Sequence, residues 1–223
     1  MIELNITTNA FDGVLWIRGI NDKAPLVDQL VYVTLEAYKG VCKKYKKSDP
    51  NYMELRAYYI GHLLKDVLGW WGYEVKEVLR GLPVTCEAII DEGRKINCKV
   101  EFETHKYFID DYTARGDKVE SIRPSWGFCN AHWKSEGRPW PLKDKVLNMD
   151  IHIGVKFTDP NEEKPVDPNF MFDSAIHEMI HLIDDIRKYY SKDLAFKIAE
   201  PLLKRVLMRF FIFGTIKNYT END

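Results

Sequence analysis

Residues 168–190 read PNFMFDSAIHEMIHLIDDIRKYY, and the pattern of this run governs how the whole chain is interpreted. Its apolar side chains recur at spacings of three and four residues, the period of a helix packed on a core. They are Phe172, Ile176, Met179, Ile183, Ile186 and Tyr190. Asp167 and Pro168 offer an N-cap and a first helical position. We therefore predict one long helix whose opposite stripe carries His177, His181 and Asp184.

Residues 177–181 within this helix form the pattern HExxH. A helix turns about 100° per residue, so His177 and His181 project from one side, a turn apart. Two imidazoles at that spacing can hold one tetrahedral Zn²⁺, and Glu178 can take a proton from a metal-activated water. The alternative is a helix whose histidines are only solvated or packed. Because these histidines lie off the apolar stripe but in an apolar context, the pattern favours a metal site.

The motif resembles the signature of the zincins, a clan of zinc metallopeptidases, over about residues 148–212. Zincins place a strand before this helix, and residues 149–157 alternate apolar with other side chains as a half-buried strand does. The resemblance implies a zinc-dependent hydrolase of peptide bonds. The resemblance also implies that His177 and His181 bind Zn²⁺ and that Glu178 is the general base.

Catalytic zinc sites use three protein ligands, and Glu200 is the preferred third. Eighteen residues separate it from His181, so the chain reads HExxH-x18-E, similar to the gluzincin branch of the zincins. Two features depart from that branch. Lys204 stands where gluzincins carry an Asp, and Pro201 is expected to kink or break the second helix, whose predicted cap is Ser191.

Asp184 is a rival to Glu200 because it shares the histidine face. It could be a ligand or, as we prefer, the acceptor of a hydrogen bond from a ligand imidazole. A ligand from upstream, as in the deformylases, could be Cys129, His132 or His152, although a packed loop is the favoured interpretation of the first two.

Other branches of the clan fit less well. The metzincin pattern is excluded, because residues 182–187 read LIDDIR. A weaker resemblance is to the SprT-like peptidases, whose third ligand is a later His; none follows His181 in this chain. Tyr189, Tyr190 and Arg205 are the nearest candidates in sequence to stabilise an oxyanion.

The remainder of the chain predicts further helices and strands. Helices are expected over residues 26–46 and from Asp49 through Val67, the second carrying His62 as a packed or surface histidine rather than a ligand. Strands are expected around Ile2–Ile6 and Gly13–Ile17 and over residues 96–109. Residues 116–141 are expected to be loop-rich, and residues 158–165 are expected to form a loop before the HExxH helix. Residues 206–214, VLMRFFIFG, are interpreted as a buried helix end.

These elements predict an α+β, zincin-like fold, with a small sheet packed on the HExxH helix and further helices. We expect one domain, 1–223, with the HExxH core at about 148–212 and no assigned role for residues 1–147. At 223 residues, 45% hydrophobic and 30% charged, the chain is long enough for a substantial core.

Composition also narrows the partners and the compartment. The formal net charge is −2, and no basic stretch exceeds residues 43–47, which disfavours nucleic acid as a partner. No secretory signal or membrane-spanning run is recognised, and four cysteines without a CxxC pattern fit reduced thiols. We therefore expect a cytoplasmic enzyme acting on a peptide or protein. The alternatives are a non-catalytic interaction protein, for instance one encoded by a virus or mobile element, that retains a zincin-like fold, and a deformylase-like hydrolase of small amides.

Overall fold

A computed structural model describes residues 2–8, 11–45, 51–78, 84–91, 94–104, 132–133, 146–159, 162–165, 168–189 and 191–214. Its helices are α1 (Leu26–Lys44), α2 (Tyr52–Trp70), α3 (Pro168–Tyr189) and α4 (Lys192–Leu207). Its strands are β1 (Ile2–Thr8), β2 (Phe11–Ile20), β3 (Tyr73–Val78), β4 (Val84–Asp91), β5 (Arg94–Thr104), β6 (His132–Trp133), β7 (Val146–Asp159), β8 (Glu162–Pro165) and β9 (Phe210–Gly214). The predicted α+β class is confirmed.

The strands form three sheets within the described residues. β1 pairs with β2, and β3 pairs with β9, both antiparallel. The largest sheet has the order β4-β5-β7-β6, with β8 also paired to β7. β5 and β7 are parallel, and the other pairs in this sheet are antiparallel. Helix α3 contacts both β3 and β7, so it joins two of the sheets.

Helix α3 is buried on most of its circumference, as the sequence predicts. Its apolar stripe from Phe172 to Ile186 is inaccessible to solvent, and so are the flanking Ala175, Ile180 and Leu182. The polar stripe faces α2, which runs in the opposite direction. Arg56 and Asp184 pair at one end of this interface, and His62 and Asp173 pair at the other.

Gly61 of α2 lies tightly against Asp173 of α3. A Cβ atom at this position would lie 2.9 Å from the backbone oxygen of Asp173 and nearer still to its Oδ1. Real Cβ atoms do not approach oxygen so closely, so the interface requires a glycine here. Because Gly61 has no side chain, the two helices can pack closely enough for polar side chains such as His62 and Asp173 to contact each other.

Most predicted elements are present, with shifted ends. The strands around Ile2–Ile6 and Gly13–Ile17 are β1 and β2, and residues 96–104 of the predicted strand belong to β5. Residues 105–109 of that strand, and the predicted loop 116–141 apart from β6, lie outside the described residues.

Three local predictions are wrong. Residues 162–165, predicted as loop, form β8. Residues 210–214, predicted as a helix end, form β9, because this aromatic-rich run finds a strand partner in β3. Pro201 does not break α4, which continues to Leu207. The buried apolar face on both sides of Pro201 holds the helix together despite the missing N–H.

None of the described helices combines the length and the apolar character needed to cross a membrane.

Candidate metal centre

The two histidines of the HExxH motif meet on the surface of α3 that faces α2. Their Nε2 atoms are 3.0 Å apart, and their rings lie edge to face with centroids separated by 4.7 Å. Both side chains are partly accessible, His177 at 21% and His181 at 16%. Two imidazole nitrogens so close, and open to solvent on one side, can share a cation.

The third ligand atom comes from Glu54 in the first turn of α2. Its Oε2 lies 3.3 Å from His177 Nε2, and its Oε1 lies 3.2 Å from His181 Nε2. Ligand atoms of the three residues all lie within 4.8 Å of one another. In a tetrahedral site with Zn–N distances of about 2.0–2.1 Å, neighbouring ligands are about 3.4 Å apart. The observed separations are close to that value, so the group can hold a metal ion.

The protonation state of His177 suits metal binding. Burial, together with the charge of His181, lowers the pKa of His177 to about 4, and Glu54 partly opposes this effect. A histidine binds a metal through the lone pair of its neutral imidazole. At neutral pH, therefore, His177 presents a lone pair without first having to lose a proton.

Glu178 lies beside this group and is almost fully buried. Its side chain is 10% accessible, and its Oε1 is 4.0 Å from His177 Nε2. The carboxylate is not one of the three converging ligands. The motif predicts a general base at this residue, and that role stays a prediction.

Glu200, predicted as the third ligand, does not belong to the converging group. Its side chain is exposed on α4. The apolar face of that helix, which includes Ile198, Leu202 and Leu203, is buried in the core, and this orientation leaves Glu200 on the solvent side. The structure therefore brings together two of the three predicted ligands and completes the set with Glu54.

Asp184, the rival ligand, is buried away from the histidine nitrogens. Its Oδ1 accepts hydrogen bonds from Tyr38 Oη at 2.5 Å and from Arg56 Nη1 at 2.9 Å. Burial and the neighbouring Asp184 carboxylate raise the pKa of Tyr38, so the tyrosine stays protonated and continues to donate. Asp184 is therefore a hydrogen-bond acceptor as predicted, but its donors are Tyr38 on α1 and Arg56 on α2 and not a ligand imidazole.

His62 and Asp173 form a second polar pair on the same helix–helix interface. His62 Nδ1 lies 3.1 Å from Asp173 Oδ2, and the ring of Tyr58 packs edge-on at 4.2 Å from the His62 ring. Burial raises the pKa of Asp173, and the charge of His62 partly offsets that effect. His62 is outside the converging group, as expected.

Among the other predicted candidates, Arg205 has a described side chain, and it lies outside the converging group. Arg205 donates to the carbonyl oxygen of Thr85 on β4. Cys129, Tyr190 and the side chains of His132, His152 and Tyr189 lie outside the described part of the chain.

Glu54 is not among the ligands predicted from the sequence. The available signal is its position on α2, where Glu54, Tyr58 and His62 recur every four residues and so share one face. That face is polar and aromatic, but nothing in the pattern indicates that it meets α3.

Comparison of the chain with protein-family models, with curated proteins and with solved structures found no match.

Proposed function

We propose that this chain is a zinc-dependent hydrolase of peptide bonds. The observation that carries the proposal is the convergence of His177, His181 and Glu54, with the buried carboxylate of Glu178 next to them. Two imidazoles and one carboxylate are a ligand set typical of catalytic zinc. The metal, when bound, would act as a Lewis acid toward a carbonyl oxygen and would make a water more acidic.

The residues of the chain have separate roles in this proposal. His177, His181 and Glu54 bind and orient the ion. Glu178 accepts a proton from the attacking water and later delivers it to the leaving amine. Glu54 is 65% exposed, so this side of the site is open to solvent.

We also propose a zincin-like arrangement for the region around α3. Its support is the order of β7 followed by α3, together with their contact. The ligand from α2 departs from both resemblances, because the third ligand of gluzincins and of SprT-like peptidases follows the HExxH motif in sequence. The resemblance to zincins therefore rests on the HExxH residues of α3 and does not extend to the third ligand.

The first test is metal content. We expect about one zinc per purified chain by elemental analysis, the stoichiometry of a mononuclear site. Glu54→Gln should weaken zinc binding at least tenfold because it removes a charged ligand. Glu200→Gln, the same change at an exposed carboxylate, is the matched control and should bind zinc as the wild type does. A chain that takes up no zinc would rule the proposal out.

The same preparation tests hydrolysis. The zinc-loaded chain, incubated with denatured casein, should generate new peptide termini that mass spectrometry identifies. A chelator should stop the cleavage, and added zinc should restore it. Zinc uptake without cleavage of any protein or peptide would favour the non-catalytic interaction protein instead.

A further inference from the structure

Glu54 lies on a part of α2 that has little local support. It is in the first helical turn, and its side chain is 65% exposed. The N-cap residue Asn51 makes no side-chain hydrogen bond to the helix and adopts a left-handed conformation, with φ of 57°. First turns without a cap are prone to fray, because their N–H groups lack intrahelical partners. A contact from outside this first turn is therefore needed to hold Glu54 beside the histidines.

Arg56, two residues further along α2, is hydrogen-bonded to both neighbouring helices. Its Nη1 donates to Asp184 Oδ1 at 2.9 Å, and its Nε donates to the carbonyl oxygen of Tyr45 at 2.8 Å. Tyr45 is the C-cap of α1, and the guanidinium also lies over the ring of Tyr52, 4.7 Å from its centroid. One planar side chain thus joins the start of α2 to the end of α1 and to α3.

The partner of Arg56 on α3 is adjacent to the histidines. Asp184 follows His181 by three residues, so the two side chains share a face of the helix. The ion pair is almost completely excluded from water, with 6% of the arginine and 3% of the aspartate side chain accessible. Within the described residues, Asp184 Oδ2 has no hydrogen-bond partner. A buried pair with an unsatisfied oxygen is a poor source of stability, and it is better explained by the geometry it imposes.

We propose that the Arg56–Asp184 ion pair positions Glu54 as the third metal ligand by fixing the start of α2 against the histidine face of α3. This inference rests on the proposed function, since it concerns the same metal group. The pair has directional hydrogen bonds, so it sets both the rotation of α2 and its register along α3. Apolar packing could fill the same space without setting either.

The inference can be separated from a merely structural role by replacing both charges together. Removing one partner of a buried ion pair is strongly destabilising, whereas replacing both with apolar residues of similar size is often neutral. The paired variant Arg56→Met/Asp184→Leu should therefore fold with a melting temperature within a few degrees of the wild type. It should nevertheless bind Co²⁺ and Zn²⁺ at least tenfold more weakly, as measured by visible absorption of Co²⁺ and its displacement by Zn²⁺.

A double-mutant cycle with Glu54→Gln shows whether the pair acts through Glu54. If it does, the paired substitution weakens Zn²⁺ binding in the wild-type background and has no further effect once Glu54 is replaced. Tyr38→Phe is the matched control. It removes the hydroxyl that donates to the same oxygen of Asp184 but leaves the ion pair in place, so affinity should stay within twofold.

Each outcome decides between the inference and its alternatives. A paired variant with wild-type affinity overturns the inference while leaving the metal site intact. So does a loss of the same size with and without Glu54, or an equal loss in Tyr38→Phe. If the paired variant does not fold, Arg56→Lys takes its place, because lysine lacks the fork that reaches Tyr45 and Asp184 together. It should weaken binding about threefold, and unchanged affinity overturns the inference. Failure of the wild type to bind either metal instead overturns the proposed function.

Discussion

Glu178 is the residue whose substitution best separates catalysis from metal binding. Glu178→Gln keeps the size of the side chain and removes its basicity, so hydrolysis should fall by about 10²–10⁴-fold. Zinc affinity should remain within about twofold, because Glu178 is not among the converging ligands. Asp185→Asn, the same chemical change on the same helix, is the control and should leave both quantities near wild type. Loss of zinc in Glu178→Gln would mean that this carboxylate is a ligand.

The sequence correctly predicts that His177 and His181, two of the three converging residues, lie together. The spacing within residues 177–181 places two imidazoles together because a single helix fixes their geometry. The third ligand depends on which helix packs against α3, and no local pattern encodes that choice. Glu200 has the spacing of a known branch, but its orientation follows from which face of α4 is buried.

Helices α2 and α3 approach each other at Gly61, and this contact is testable with two glycines of one helix. Gly61→Ala should destabilise the fold by about 1–3 kcal/mol, because its Cβ would overlap Asp173 and force the helices apart. Gly69→Ala meets no atom within 4 Å and should instead stabilise by up to about 1 kcal/mol through helix propensity. Urea unfolding measures both. Equal stabilisation by the two substitutions would contradict the close approach.

Element boundaries follow from sequence where the signal is local. The predicted cap Ser191 accepts a hydrogen bond from Leu194 N at the start of α4, and Pro168 begins α3 as predicted. The helix break expected at Pro201 and the helix end expected at residues 210–214 are both absent, because tertiary packing overrides the local preference. In α4, burial of the apolar face stabilises the helix on both sides of Pro201. Residues 210–214 form a strand because β3 is available as a pairing partner, although the same apolar run could have ended a helix.

At the scale of the whole molecule, the sequence does not predict which strands pair with each other or in which direction. Alternation predicts that a segment is a strand, but the same alternation serves any neighbour and either direction. The parallel pairing of β5 with β7 and the joining of β3 to β9 are therefore structural findings. The α+β class needs no such knowledge, since it depends only on which elements are present.

The stability of the metal-free molecule should depend on pH through His177. The pKa of His177 is about 4 in the folded chain and about 6.5 when unfolded. Between these values the unfolded state binds the extra proton, so stability is lost as pH falls through this window and is constant above it. The loss is on the order of 3 kcal/mol. Urea unfolding from pH 4 to 7 in a chelator measures it.

His177→Gln is the control for this prediction, since it removes the titrating group and leaves the others that respond to acid. The difference in stability between wild type and variant should change across the window. Parallel curves for the two proteins would contradict the depressed pKa.

The origin of the metal ligands in two distant helices has a consequence for biosynthesis. Glu54 leaves the ribosome early, together with α1 and α2, whereas His177 and His181 emerge only after β3 through β8 have been translated. The nascent chain thus passes through a long interval in which its first ligand exists and its partners do not. Metal loading at the proposed site would consequently be a late step of maturation, because a translation product that ends before α3 holds only Glu54 of the three converging residues.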